Sequence, residues 1–132
     1  EEHEMIPLCR DQGVGLIPWS PIGRGKLARP AASVTERSAK DGYMKFLFDK
    51  TAEADARVIA AVQSLAAELG RPMAQIAMAW VRQKPGVTAP IVGVTKPDQL
   101  AEAIAGLDLV LTPGQMAELE APYILRQPLG QM

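Results

Sequence analysis

The chain has 132 residues, of which 48% are hydrophobic and 22% charged, enough for one modest core and too apolar for a disordered tail. With 14 basic and 15 acidic residues the net charge is −1, so no bulk positive field draws nucleic acid or an anionic membrane. Cys9 is the only cysteine and His3 the only histidine, which excludes an internal disulfide or thiolate metal cluster and leaves a histidine metal site or a Ser-His-Asp triad very little material.

No run approaches the roughly 18 to 20 apolar residues of a membrane span, and no signal-peptide pattern opens the chain, so a reducing, cytoplasmic setting is the expectation. Glu1–Met5 reads as the first turn of a helix, its acidic residues suited to the helix dipole and His3 solvated. A chain starting inside an element is expected to be a fragment. Met5, Leu8 and Cys9 recur at helical spacing, and Gly13 stands where a left-handed cap belongs.

Val14–Trp19 is a short apolar run with β-branched residues and reads as a buried strand, with Pro18 at its end because proline cannot donate to a ladder. Residues 20–52 show no sustained periodicity and several Gly and Pro residues; a connection this long reads as a lid or binding loop, with a short helical turn near Tyr43–Asp49. From Asp55 to Leu69 the residues Val58, Val62, Leu65 and Leu69 form an apolar stripe that Gly70 ends. Pro72 is placed in the first turn of the next helix, with Met73, Ile76, Ala77, Trp80 and Val81 facing inward until Pro85-Gly86 stops it.

Thr88–Val94 is the second strand. Thr95 then reads as an N-cap with Asp98 three residues on, and Leu100, Ile104 and Leu107 as the buried face of the helix that follows. Thr112-Pro113-Gly114-Gln115 is a capping box with proline at the first position, opening a last helix to about Leu119 and a tail over 120–132. Apolar strands alternating with amphipathic helices imply parallel strands and helical crossovers. Two such strands need cover on both faces and partners on both edges.

In α/β barrels ligands bind on the loops after the strands. After the first strand come Trp19-Ser20-Pro21-Ile22-Gly23-Arg24-Gly25-Lys26, an aromatic face, a hydroxyl, small residues for close approach, then cations that continue to Arg29. That combination suits a flat heterocycle joined to a pyrophosphate. After the second come Gly93, Thr95, Lys96 and a helix start, a ready anion site. Trp19 at a strand end is more often core than platform, and Thr95 is a cap whatever else it does; only the joint placement of the two loops points to a site.

Three stretches carry a resemblance: Ile17–Gly25, Thr35-Glu36-Arg37-Ser38, and Pro90–Leu100 continuing to Glu102. With them the chain resembles the C-terminal portion of an aldo-keto reductase, nearest the bacterial branch akin to potassium-channel β-subunits. The resemblance implies one α/β domain over 1–132, the part of a (β/α)8 TIM barrel that holds strands 7 and 8 with their helices. It implies an oxidoreductase that reduces aldehydes or ketones with NADP(H). Trp19 would stack on the nicotinamide, Ser20, Pro21, Ile22, Gly23 and Arg24 would line the pyrophosphate, and Arg37 would reach over the cofactor. Gly93, Thr95, Lys96, Gln99 and Glu102 would hold the adenosine and its 2′-phosphate. Arg29 stands about one residue from a loop lysine common in the family, and Ala103 where relatives often carry an asparagine. The family's catalytic Tyr, Asp, Lys and His belong to the barrel's first half, and neither Tyr43 nor Tyr123 has the surroundings of that tyrosine. No catalytic residue and no metal ligand is therefore assigned here. The partners implied are a small carbonyl substrate and either the N-terminal half of the barrel or further copies of this chain.

Two other readings compete. The chain could persist as an inactive structural fragment that folds only as an oligomer, since its strands would expose edges. Alternatively, Leu65–Ala77 has the look of a helix-turn-helix whose recognition helix would present Met73, Gln75, Met78 and Trp80, though with few cations for phosphates.

Overall fold

The structure, a computed structural model, describes residues 1–31, 33 and 51–125. The expected turn near Tyr43–Asp49, the stretch around Arg37 and the end of the tail lie outside the described residues. Five α-helices are described: α1 (Met5–Asp11), α2 (Ala52–Leu69), α3 (Met73–Gln83), α4 (Pro97–Ala105) and α5 (Pro113–Glu120). A short 3-10 stretch, Gly23–Ala28, is broken by a kink at Arg24 and Gly25. None of the described helices is long and apolar enough to cross a membrane.

The core lies between α2, α3 and α5. Leu65 and Ile76 are fully buried, with Ile59, Val62, Ala66, Met73, Ala79, Leu111 and Leu119 around them. On α2 the buried stripe runs through Ile59 and Ala66; the expected Val58 and Leu69 flank it half-buried. The small side chains Ala66, Ala77 and Ala79 let the helices approach closely, which a count of large apolar residues alone does not register. Gly70, with φ 60, ends α2 as its composition predicts; its N–H bonds the Ala67 carbonyl and that of Arg71 bonds the Ala66 carbonyl. At the other end of the core the capping box is formed in full: Thr112 accepts from the Gln115 N–H, and the Gln115 side chain accepts from the Thr112 N–H.

Polar side chains of α3 then stitch the C-terminal segment to the core. Gln83 exchanges hydrogen bonds with the backbone of Leu111, and Arg82 donates to the Leu109 carbonyl at 2.7 Å. Trp80 Nε1 and Lys84 Nζ both donate to Glu120 Oε1, each at 2.9 Å, which ties the end of α3 to the end of α5.

Four expectations are corrected. The helix at the start begins at Met5; Glu1–Glu4 form a turn whose Glu1 carbonyl accepts from Ile6, and the Tyr123 hydroxyl donates to Glu2. Pro72 is the N-cap of α3, in extended conformation, not a residue of its first turn. Lys96, not Thr95, is the N-cap of α4; the Gln99 carboxamide reaches back to the Thr95 N–H at 2.9 Å, a link that a Thr95–Asp98 box would not make. The fourth concerns α4, which buries no residue: Leu100, Ile104 and Leu107 are 48%, 57% and 56% exposed. Gln75 of α3 hydrogen-bonds the Glu102 carbonyl, while the half-exposed apolar stripe lines a shallow pocket with Met78 and Arg82 of α3.

The two apolar runs read as strands meet only at isolated parallel bridges, Leu16 with Val87 and Trp19 with Ile91. The bridges are three residues apart on the first run and four on the second, so one extra residue interrupts the register. Chemistry explains the interruption: Pro18 and Pro90 lack the N–H groups that a continuous ladder needs. What remains are bonds from Leu16 to the Gly86 carbonyl at 2.9 Å, from Thr88 to the Leu16 carbonyl at 2.8 Å, and from Ile91 to the Pro18 carbonyl at 2.8 Å. Gly15 lets the two segments approach closely, because a Cβ there would meet the Thr88 hydroxyl and force that side chain to turn. Order and direction match the expected parallel pair; regular strands are not formed among the described residues.

Candidate functional site

Where the paired segments end, their two following loops diverge around a cleft of about 900 Å³. The loop after the first segment supplies Trp19, Ser20, Pro21, Ile22 and Arg24 to one wall, continuing through Lys26 to Arg29. The second segment supplies Ile91, Gly93, Val94 and Thr95, and α4 adds Gln99, Glu102 and Ala103. The floor comes from α2 and α3 through Asp55, Ile59, Gln75 and Met78. Two of the expected residues, Gly23 and Lys96, do not line the cleft; Arg37 lies outside the described residues.

Backbone shape makes the first wall possible. Ser20 and Arg24 have φ values of 51 and 54, in the left-handed region that costs ordinary residues energy, and Gly23 and Gly25 follow the same sense at 56 and 92. The Gly23 N–H bonds the Ser20 carbonyl at 2.9 Å, and the Gly25 N–H bonds that of Ile22 at 3.0 Å, closing two consecutive tight turns. The loop is pinned from below. Lys26 Nζ lies 3.4 Å from Asp55 Oδ2, and the Thr51 hydroxyl donates to the same carboxylate oxygen at 3.1 Å, so the start of α2 holds the loop's cationic end. Trp19 is 61% exposed and belongs to the cleft wall, not to the core.

The second wall is set by the start of α4. Pro97 occupies its first turn after the extended Lys96. Gln99 Oε1 accepts from both the N–H and the hydroxyl of Thr95, at 2.9 and 3.3 Å, which closes the loop end over the helix. Arg24, Lys26, Arg29, Asp55 and Glu102 thus supply charged groups to a cleft whose lining is otherwise largely apolar, with Trp19 as its aromatic side. Such a cleft can hold a planar ring with attached anionic groups. Among the described lining residues there is no Tyr, His or Cys, so proton transfer by those groups is not built into it.

Sequence reasoning missed the floor. Asp55 was legible only as the start of the α2 segment, and Gln75 only as a polar residue that a DNA-reading helix would present. Gln75 is in fact 5% exposed and hydrogen-bonded to α4. Its burial, with that of Met73 at 8%, also takes two of the four side chains that a DNA-reading helix would present. A glutamine flanked by inward-facing Met73 and Ile76 was the available signal.

Comparison with known proteins follows the same outline. The profile described as Aldo/keto reductase family matches residues 1–124. A versiconal hemiacetal acetate reductase of Aspergillus parasiticus is 45% identical over 126 residues, covering 94% of this chain and 36% of the relative. A putative aryl-alcohol dehydrogenase of Schizosaccharomyces pombe is 41% identical over 126 residues, covering 93% of this chain and 34% of the relative. An aldo-keto reductase of Alternaria alternata is 34% identical over 132 residues, covering 98% and 35%. These relatives are fungal, and the chain spans about a third of the length of the curated relatives it matches.

Proposed function

The chain belongs to the aldo/keto reductase family, and on that premise we propose that it is the cofactor-gripping part of an NADP(H)-dependent oxidoreductase acting on aldehydes or ketones. The observation that carries the reading is the convergence of both expected loops on one cleft. In this reading Trp19 stacks on the nicotinamide, and Ser20, Pro21, Ile22 and Arg24 line the pyrophosphate, with the Arg24 cation suited to its charge. Gly93, Thr95, Gln99 and Glu102 surround the adenosine; Lys96, beside the α4 N-terminus, takes the 2′-phosphate, and Arg37 reaches over the cofactor. The bound cofactor supplies the hydride.

The parallel pairing of Leu16 with Val87 and Trp19 with Ile91 supports assigning the two segments to strands 7 and 8 of a (β/α)8 barrel. The catalytic Tyr, Asp, Lys and His then come from the barrel's first half, in a cytoplasmic enzyme, and this chain alone is inactive. Placement near the bacterial branch akin to potassium-channel β-subunits rests on Ile17–Gly25, Thr35–Ser38 and Pro90–Leu100, whereas the relatives named above are fungal. The exposed Ile17, Ile91, Leu100 and Ile104 support cover by that first half or by a second copy. A monodisperse monomer in light scattering with a cooperative melt would refute such cover.

Calorimetric titration with NADPH and NADH tests the site. Wild type binds NADPH more tightly, and Lys96→Ala lowers NADPH affinity about tenfold while leaving NADH nearly unchanged. Equal losses for the two cofactors would remove the 2′-phosphate role.

A further inference from the structure

We infer that Gln75 is a positioning residue that sets α4, and with it the second wall of the cleft. The α4 helix needs such a fixture because it buries none of its own residues. Near its end the N–H of Gly106 bonds the Ala103 carbonyl at 3.3 Å and that of Leu107 bonds Ile104 at 3.0 Å, a tightened final turn. That tightening diverts the Gly106 N–H from the Glu102 carbonyl, its ordinary partner in an α-helix. Gln75 Nε2 donates to that carbonyl at 3.0 Å.

Two further contacts hold the same junction. Arg71 Nη1 donates to Gln75 Oε1 at 3.4 Å, and Arg71 Nη2 reaches Asp108 Oδ2 at 3.0 Å, just past the end of α4. Gly106 lies directly on the Gln75 stem: a Cβ there would stand 2.9 Å from Gln75 Cγ. One buried carboxamide therefore joins α3 to the helix whose Gln99 and Glu102 face the cleft, and Gln75 itself lines the floor. A tilt of α4 would move Gln99 and Glu102 together, without touching Trp19 or Arg24 on the other wall.

Hydrogen exchange of the full chain, followed by mass spectrometry, reads this directly. Gln75→Met keeps the volume and removes both hydrogen bonds; exchange in residues 97–105 is expected to rise about tenfold, with α2 and α5 unchanged. Gly106→Ala, which presses on Gln75 without removing it, is expected to give the same α4-confined pattern. A rise spread evenly over α2, α3 and α5, or none in α4, overturns the inference. The ligand arm rests on the proposed cofactor and uses fragments. Gln75→Met is expected to weaken 2′,5′-ADP several-fold more than reduced nicotinamide mononucleotide. Equal weakening would leave Gln75 a stabilising residue only. If wild type bound neither fragment, the cofactor reading would fall while the exchange result still judged Gln75.

Discussion

Leu65 and Ile76 are fully buried, whereas Ile17 and Trp19, no less apolar, are 63% and 61% exposed. The first pair sits between α2 and α3, helices that complete their backbone hydrogen bonds internally and need only one apolar face covered. The second pair sits in the bridged segments, whose outer backbone groups find partners only if another strand arrives. Helices can therefore close a core within this stretch of chain, while the barrel-like edge shows its pattern without its packing. The cleft lies on the seam between the two regions.

The largest effect should separate them. Ile76→Ala removes a fully buried side chain and is expected to cost about 2–5 kcal/mol, measured by urea denaturation. Ile17→Ala is expected to cost under about 1 kcal/mol, because exposed side chains away from packed features contribute little. Equal costs would show that Ile17 is covered in solution. The α4 face sharpens the same contrast: Ile104→Ser is expected to stay within about 0.5 kcal/mol for a monomer. A cost of several kcal/mol, falling with dilution, would identify a self-associated surface instead.

What could be read from the sequence divides along the same seam. The Thr112–Gln115 box, the Gly70 stop and the centre of the α2 stripe at Val62 and Leu65 are local signals, each carried within one helix and its caps, and each appears in the structure. Pairing of Leu16 with Val87 spans α2 and α3, so the sequence could show two apolar runs but not the extra residue between the bridges. Likewise, the cleft's two rims were visible as motifs, while its floor was not. Asp55 and Gln75 gain meaning only once Lys26 and Glu102 are brought to them by folding. Leu100, Ile104 and Leu107 show the converse error, a periodic stripe that stays about half exposed.

A middle-sized test stays inside the packed region. Thr112→Ala deletes the acceptor for the Gln115 N–H and is expected to cost about 1 kcal/mol, less than a core truncation and more than the α4 surface change. Thr112→Ser, which keeps the hydroxyl, should recover most of it. If both variants melted alike, the box would be geometry without energy.

The smallest effect concerns the clasp between α3 and α5. The Lys84 ammonium beside Glu120, helped by the Trp80 N–H, holds the Glu120 carboxyl below its ordinary value of 4.5, against a weaker upward pull from burial. Lys84 also stands 5.1 Å from the centre of the Trp80 ring, so the cation faces both the carboxylate and the indole. Because the folded state binds this proton less readily than the unfolded chain, the clasp stabilises fully above about pH 4.5 and weakens as pH falls through the lowered folded value. Glu120→Gln removes the titration while keeping an acceptor for Trp80. Wild type should therefore exceed Glu120→Gln in melting temperature at pH 6, and the gap should close as the pH is lowered below 4.5. Both side chains are about a third exposed, 33% for Lys84 and 38% for Glu120, so salt should also narrow the gap at pH 6. No gap at either pH would mean that Glu120 acts through the Trp80 hydrogen bond alone. The end of α5 would then be held by a neutral contact, and the packed region would owe nothing measurable to this charge pair.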